Sequence, residues 1–131
     1  MSETEVMTIR EMCDAFGVTP RTLRFYEAKE LITPARRGAH RLYDRRDRAR
    51  LKLILRGKRF GFSLEDIRQM LNLYERDGSN LEQMQRTYEL ARERLEIMKA
   101  QRAELEVAIA ELQGELEVGA EMIAAAQKAV G

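Results

Sequence analysis

From Leu81 to Ile123, apolar residues recur at alternating spacings of three and four. They are Leu81, Met84, Tyr88, Ala91, Leu95, Met98, Leu105, Ile109, Leu112, Leu116 and Ile123, and only Arg102 and Gly119 interrupt the thirteen seam positions. Such a pattern is the heptad seam of a coiled coil. A helix of about 38 residues is roughly 57 Å long at 1.5 Å per residue. The preceding part of the chain is too short to cover a stripe of that length, so the seam predicts a second chain as its cover rather than a helix folded back on its own headpiece. The expected dimerisation residues are Leu81, Met84, Tyr88, Leu95, Met98, Leu105, Ile109, Leu112 and Leu116. Arg102 is expected to meet an acid, Glu106 or its equivalent across the seam, and to set register at some cost in stability. Gly114 and Gly119 predict a weakened end, with residues 120–131 forming a separate short helix that caps the dimer or lines an effector pocket.

The charge is unevenly distributed. Residues 1–60 hold 15 Lys/Arg and 8 Asp/Glu, residues 61–131 hold 8 and 14, and the near-neutral total of +1 conceals a basic half joined to an acidic one. Between Arg36 and Arg59 there are 11 basic residues, nine of them arginine, and only two acidic ones. A solvated helix face is the plain explanation for such a run. The density and the arginine bias favour a polyanion instead, because the planar guanidinium matches phosphate and guanine edges.

Several classes are excluded. One cysteine, Cys13, and one histidine, His40, provide neither an intrachain disulfide, nor a closed zinc site, nor an organised nucleophile-base pair, and no phosphate-binding Gly-rich loop is present. An enzyme is not expected, and no cofactor. Cys13 reads as a small buried hydrophobe on the first helix. No apolar run approaches the ~18 residues of a membrane span, and the acidic start lacks the basic and apolar regions of a signal peptide, so a cytoplasmic protein is expected.

The basic half reads as short capped helices. Thr8 and Glu11 have capping-box spacing ahead of Ile9, Met12, Cys13 and Phe16, and Gly17 ends that helix. Thr19 caps a second helix that has Pro20 in its first turn, only two residues further on. Two helices so closely joined predict a helix-turn-helix. In the second, Leu23 and either Tyr26 or Glu27 stand on neighbouring faces that can pack inward, while Pro20, Arg21 and Arg24 lie together on another from which the guanidinium groups project outward. Pro34 stops further helix, and Gly38 offers a turn between two short extended pieces over 35–43, a small basic wing. Asp44 and Asp47 cap a third helix with Leu51, Ile54 and Leu55 inward, ending near Gly61. Ser63 caps a fourth with Ile67, Met70, Leu71 and Tyr74 inward. Lys58 and Arg59, at the turn between these helices, form a second candidate phosphate clamp, aided by the free N–H groups that open the fourth helix. Asp77–Asn80 is the predicted boundary, giving a DNA-binding domain over 1–76 and a dimerisation segment over 77–131.

The run Thr19-Pro20-Arg21-Thr22-Leu23-Arg24-Phe25-Tyr26-Glu27, followed by Leu31-Ile32-Thr33-Pro34, His40-Arg41-Leu42-Tyr43 and Gly61-Phe62-Ser63-Leu64-Glu65-Asp66-Ile67, resembles the MerR family of bacterial transcriptional regulators over about residues 7–75. The resemblance implies a mainly α fold, a winged helix-turn-helix DNA-binding domain followed by a long coiled-coil dimerisation helix. It further implies an antiparallel homodimer on a two-fold-symmetric promoter operator, working on the bacterial nucleoid with RNA polymerase. Carried onto this chain, Thr19, Arg21 and Arg24 lie at bases or phosphates and Tyr26 bonds phosphate. Arg37, His40 and Arg41 hold backbone from the wing with Tyr43 in support, and Lys58 and Arg59 form the second clamp. Family members bend and untwist a promoter spacer in response to an effector. Glu30 stands where glycine is usual, implying a looser chain reversal; His40 stands where tyrosine is common, and the wing is short. The family's thiol-using metal sensors carry C-terminal cysteines, which this chain lacks. The run Asp47–Arg59 resembles the branch regulating branched-chain amino-acid and fatty-acid breakdown, and implies an acyl-CoA or related small-molecule effector.

Two other functions remain to be separated from a regulator at this point: an architectural or excision accessory factor that bends DNA without altering transcript yield, and a coiled-coil scaffold without a nucleic-acid role. Salt-dependent binding to duplex DNA would exclude the second, since counterion release requires phosphate contacts.

Overall fold

The computed structural model describes residues 6–75 and 81–131, so the predicted boundary over Asp77–Asn80 and the side chain of Tyr74 lie outside the described part. The chain divides into two compact units, Met1–Tyr88 and Glu89–Gly131. The elements run β1 (Met7–Thr8), α1 (Ile9–Phe16), α2 (Pro20–Ala28), β2 (Ala35–Arg37), β3 (His40–Tyr43), α3 (Arg45–Phe60), α4 (Leu64–Glu75) and α5 (Leu81–Val130). The architecture is mainly α, a winged helix-turn-helix headpiece followed by one long helix.

Local rules set the helix boundaries in the headpiece. The Thr8–Glu11 box forms in both directions, with Thr8 N–H donating to Glu11 Oε1 at 2.8 Å and Glu11 N–H to Thr8 Oγ1 at 3.2 Å. The Asp44–Asp47 box does the same at α3, and Ser63 Oγ accepts from Asp66 N–H at 3.0 Å to start α4. Gly17 and Gly61 end α1 and α3 in the left-handed conformation that glycine adopts without a Cβ penalty.

The reversal after α2 is not loose. Glu30 takes φ 62, and the two hydrogen bonds of a Schellman closure form around it, Leu31 N–H to Tyr26 O and Glu30 N–H to Glu27 O, both 2.9 Å. The glycine geometry is kept with a side chain in place, at a steric cost of roughly 1–2 kcal/mol.

The wing carries one strand more than the sequence indicates. The β1 strand pairs antiparallel with β3, Met7 opposite Tyr43 and Thr8 opposite Leu42, giving the order β1-β3-β2. In the hairpin, Arg36 faces Arg41 and Arg37 faces His40 around a Gly38-Ala39 turn, with Gly38 at φ 62 where a tight two-residue turn needs a left-handed residue.

Met12, Leu23, Tyr26, Leu31, Ile32, Tyr43, Leu51, Ile54, Ile67 and Leu71 form one buried cluster, with Cys13, Phe16 and Leu55 partly buried against it. Each fully buried large side chain is worth roughly 1.5–3 kcal/mol. The α3 and α4 helices pack closely at Gly57, where an added Cβ would lie 2.8 Å from Ile67 Cγ1. Asp47 is only 2% exposed and accepts backbone N–H bonds from Asp44 at 3.1 Å and Thr33 at 3.2 Å. Burial pushes its carboxyl up from the ordinary value; those bonds pull the other way without reversing the shift.

The α5 helix corrects one expectation. It runs 50 residues without interruption, about 75 Å at 1.5 Å per residue. Gly114 and Gly119 do not break it, and residues 120–130 are not a separate helix. Each glycine costs about 1 kcal/mol relative to alanine, and the Ala, Leu and Glu that surround them are strong helix formers. None of its residues is buried. Among the described residues its intrahelical ion pairs include Arg86–Glu82, Arg92–Glu89 and Lys99–Glu96 at 3.4–3.7 Å. Among the described residues Arg102 has no ion pair with Glu106.

Candidate nucleic-acid interface

The α2 helix buries Leu23 and Tyr26 and presents Arg21, Arg24 and Phe25 to solvent. Thr19 caps it, Oγ1 accepting from Thr22 N–H at 3.1 Å, so its hydroxyl is engaged in holding the helix start. Arg21 and Arg24 stand almost one turn apart with no ion-pair partner among the described residues. Arg37 and His40 are exposed at the end of the wing. Lys58 and Arg59 occupy the last turn of α3 and are exposed, immediately before the N-terminus of α4, whose free N–H groups favour an anion.

A groove of about 410 Å³ joins two of these predicted clusters. It is lined by Arg21, Thr22, Phe25 and Tyr26 of α2, Lys58 of α3, and Phe62, Leu64 and Ile67 at the start of α4. Arg21, Tyr26 and Lys58 thus converge on one apolar-floored, cation-rimmed trough. Phe25, 45% exposed, is a lining residue absent from the predicted set, although it follows Arg21 by four residues and so shares its face. Lys29 Nζ lies 5.6 Å from its ring centroid, a cation-π contact.

Other predicted residues have different surroundings. Tyr43 is fully buried and its hydroxyl has no partner, so it supports the wing from beneath rather than meeting a ligand. Tyr26 is 2% exposed, and burial pushes its phenol up. Burial likewise raises the Cys13 thiol, Asp14 adds to this and Arg24 opposes it. Arg41 is not free on the wing: its Nε donates to Glu27 Oε1 at 2.6 Å, while Arg36 Nη2 donates to Glu27 Oε2 at 3.0 Å. Burial alone would raise the Glu27 carboxyl, but the two guanidinium groups outweigh it and hold the group below its ordinary value.

The arginine-rich stretch therefore divides in two. Arg50 is 7% exposed, its Nε donating to Leu31 O at 2.6 Å, and it ties α3 to the segment after α2. Arg46 and Arg48 reach Thr33 Oγ1 and Tyr43 O at 3.5 and 3.4 Å. From α4, Arg68 Nη2 donates to Lys29 O at 2.7 Å. These cations are tied to oxygens of the headpiece; Arg21, Arg24, Arg37, Arg45, Lys52, Arg56, Lys58 and Arg59 are exposed, with no ion pair among the described residues. Among the described residues no group of three or more His, Cys, Asp or Glu could hold a metal ion, and no helix is long and apolar enough to cross a membrane.

A solvent-facing basic helix in a helix-turn-helix, flanked by a wing and a second basic turn, defines a winged-helix DNA-binding protein. Comparison with known proteins gives the family. Residues 7–74 match the MerR HTH family regulatory protein model and residues 48–114 the MerR DNA-binding model. The HTH-type transcriptional regulator ZntR of Escherichia coli K12 is 36% identical over 100 residues, covering 75% of this chain and 70% of ZntR. A MerR family transcriptional regulator from Bacillus cereus is 28% identical with a TM-score of 0.65, covering 86% of this chain and 83% of that one. HiNmlR, a MerR family regulator lacking the sensor domain and solved on promoter DNA, shares the fold with a TM-score of 0.61 at 24% identity, over 79% of this chain and 78% of that one.

The chain belongs to the MerR family. It is a DNA-binding transcriptional regulator of the homodimeric MerR type, and the families and relatives it matches are transcription regulators, not enzymes.

Proposed function

We propose that the homodimer pairs its α5 helices antiparallel along the Leu81–Leu116 seam, binds a two-fold-symmetric promoter operator, and distorts the spacer for RNA polymerase in response to a small-molecule effector. The observation that carries the reading is the placement of five exposed cations that have no ion pair among the described residues: Arg21 and Arg24 on α2, Arg37 on the wing, and Lys58 and Arg59 beside the α4 N-terminus. Arg21 and Arg24 are assigned to base edges or phosphates; Thr19, Tyr26, Arg37, His40, Lys58 and Arg59 are assigned to the backbone, with Arg41 and Tyr43 shaping the wing. Many such phosphate contacts can offset the ~1–6 kcal/mol that bending a site of this kind costs.

Charge supports the antiparallel choice. Residues 81–102 carry five basic and four acidic residues, whereas residues 103–131 carry six acidic and one basic. Antiparallel pairing sets the acidic stretch of one helix against the slightly basic stretch of the other; parallel pairing would set two acidic stretches together. The resemblance of Asp47–Arg59 to the branched-chain and fatty-acid branch supports an acyl-CoA as the effector. Those residues lie on α3 in the headpiece, so they bear on descent rather than on ligand contact.

The test is transcription in vitro with purified RNA polymerase from the DNA upstream of the protein's own gene, with and without acyl-CoA thioesters. Transcript yield is expected to change on adding the protein and again on adding the effector. Yield unaffected by the protein would contradict a promoter role, and yield unaffected by any thioester would contradict the effector class.

A further inference from the structure

Glu27 lies on the recognition helix but faces the wing, and it takes both of that wing's helix-facing arginines. Arg41 Nε reaches one carboxylate oxygen at 2.6 Å and Arg36 Nη2 the other at 3.0 Å, so each guanidinium has an oxygen to itself. Side-chain exposures are 23% for Glu27, 24% for Arg41 and 53% for Arg36, so the inner pair is partly shielded from water. The register supplies an independent reason for an anion there. Arg36 and Arg41 are directly opposite each other across the β2–β3 pair, and like charges in facing positions on neighbouring strands repel. The hairpin's own geometry therefore needs a negative charge between these two side chains. Either Glu27 or a DNA phosphate can supply it.

We propose that Glu27 is a positioning residue that sets DNA specificity: it keys the wing to the recognition helix and withdraws one of the wing's two facing positive charges from indiscriminate phosphate binding. This inference rests on the headpiece being the DNA interface. With Glu27 in place the three groups carry a net +1, and the wing approaches DNA in the one orientation that suits bases held by α2. Without it the cluster carries +2, the two arginines swing to whichever phosphates are near, and the wing no longer reports whether α2 is seated on a matching sequence. Phosphate contacts carry affinity without sequence information, whereas base contacts discriminate, so loosening this tie raises the first at the expense of the second.

The experiment uses the full chain and two DNA probes: a mixed-sequence duplex, and the consensus duplex that the wild type enriches from a random-sequence pool. Affinity for each is measured across a salt series. Glu27→Gln is expected to bind the mixed-sequence duplex more tightly at low salt, with the slope of log affinity against log salt steeper by about 0.9 for each further phosphate that the freed arginines neutralise. Its preference for the consensus over the mixed sequence is expected to fall by about tenfold. Glu27→Gln combined with Arg36→Gln returns the cluster to +1 without the tie, so the slope returns to the wild-type value while the preference stays reduced. Glu27→Asp keeps the charge but falls one methylene short; it retains the wild-type slope and loses part of the preference. Unchanged slope and preference in Glu27→Gln, or a drop only in its thermal unfolding midpoint, would overturn the proposal and reduce Glu27 to a structural ion pair. Should Glu27→Gln not fold, Glu27→Asp decides, an undiminished preference overturning the positioning role. A wild-type protein whose binding shows no salt dependence would instead remove the interface reading, and this inference with it.

Discussion

The headpiece and the C-terminal helix are made from similar amounts of chain and meet their apolar surface in opposite ways. In the headpiece, short capped helices and a three-stranded wing close over ten buried apolar residues, and arginines such as Arg50 and Arg68 bond backbone carbonyls to fix the elements. In α5, Leu105, Leu112 and Leu116 stand 59–65% exposed, and no residue of the helix is buried. The headpiece buries its apolar face within one chain; on the proposed function, the long helix is half of a structure that a second chain completes. Stability of the first should thus be independent of protein concentration, and that of the second should depend on it.

That contrast can be broken at its strongest point first. Leu112→Asp places a carboxylate in the seam twice per dimer and is expected to weaken dimerisation by more than about 4 kcal/mol, roughly a thousandfold. Sedimentation equilibrium should show monomers whose headpiece still unfolds cooperatively. Its counterpart, Leu51→Ala, empties part of the headpiece core and is expected to cost about 2–5 kcal/mol of headpiece stability. Chemical denaturation followed at two protein concentrations should show the same loss at both.

Smaller changes separate function from packing within the headpiece. Arg24→Ala is expected to lower affinity for the enriched duplex by about 1–3 kcal/mol, with the unfolding midpoint and the dimer unaltered; unchanged affinity would remove Arg24 from the interface. Gly57→Ala should cost about 1–3 kcal/mol despite the better helix propensity of alanine. The new methyl would lie 2.8 Å from Ile67 Cγ1, and Ile67 is itself buried. A stabilised Gly57→Ala protein would show that α3 and α4 can move apart freely. The smallest effect expected is an increase in stability: Glu30→Gly relieves a left-handed residue and should stabilise by about 0.5–1 kcal/mol.

Much of this architecture is legible in the sequence because it follows local rules. The capping boxes at Thr8 and Asp44, Pro20 in the first turn of α2, the stops at Gly17 and Gly61 and the wing turn at Gly38 each depend on residues within a few positions of one another. The β1 strand is not legible: it is two residues long, and its pairing with β3 depends on Tyr43 and Leu42, some 35 positions away. Nor can the arginines be sorted. Arg50 and Arg37 look alike in sequence, and only the fold brings Arg50 to Leu31 O, 19 residues distant, while leaving Arg37 at the surface. The partners of Glu27 stay hidden for the same reason, since Arg36 and Arg41 belong to a different element. At α5 the difference is one of weight: two glycines signal a break, but the alanines and glutamates around them carry the helix to Val130.

The central claim is that α5 pairs two headpieces so that both read one symmetric site. It is tested most directly by footprinting the enriched duplex with the wild type and with Leu112→Asp. The account predicts a two-fold-symmetric protected region for the wild type, and for Leu112→Asp its loss at protein concentrations that saturate the wild type. Protection of the same region, at the same concentration, by a monomeric Leu112→Asp protein would contradict it.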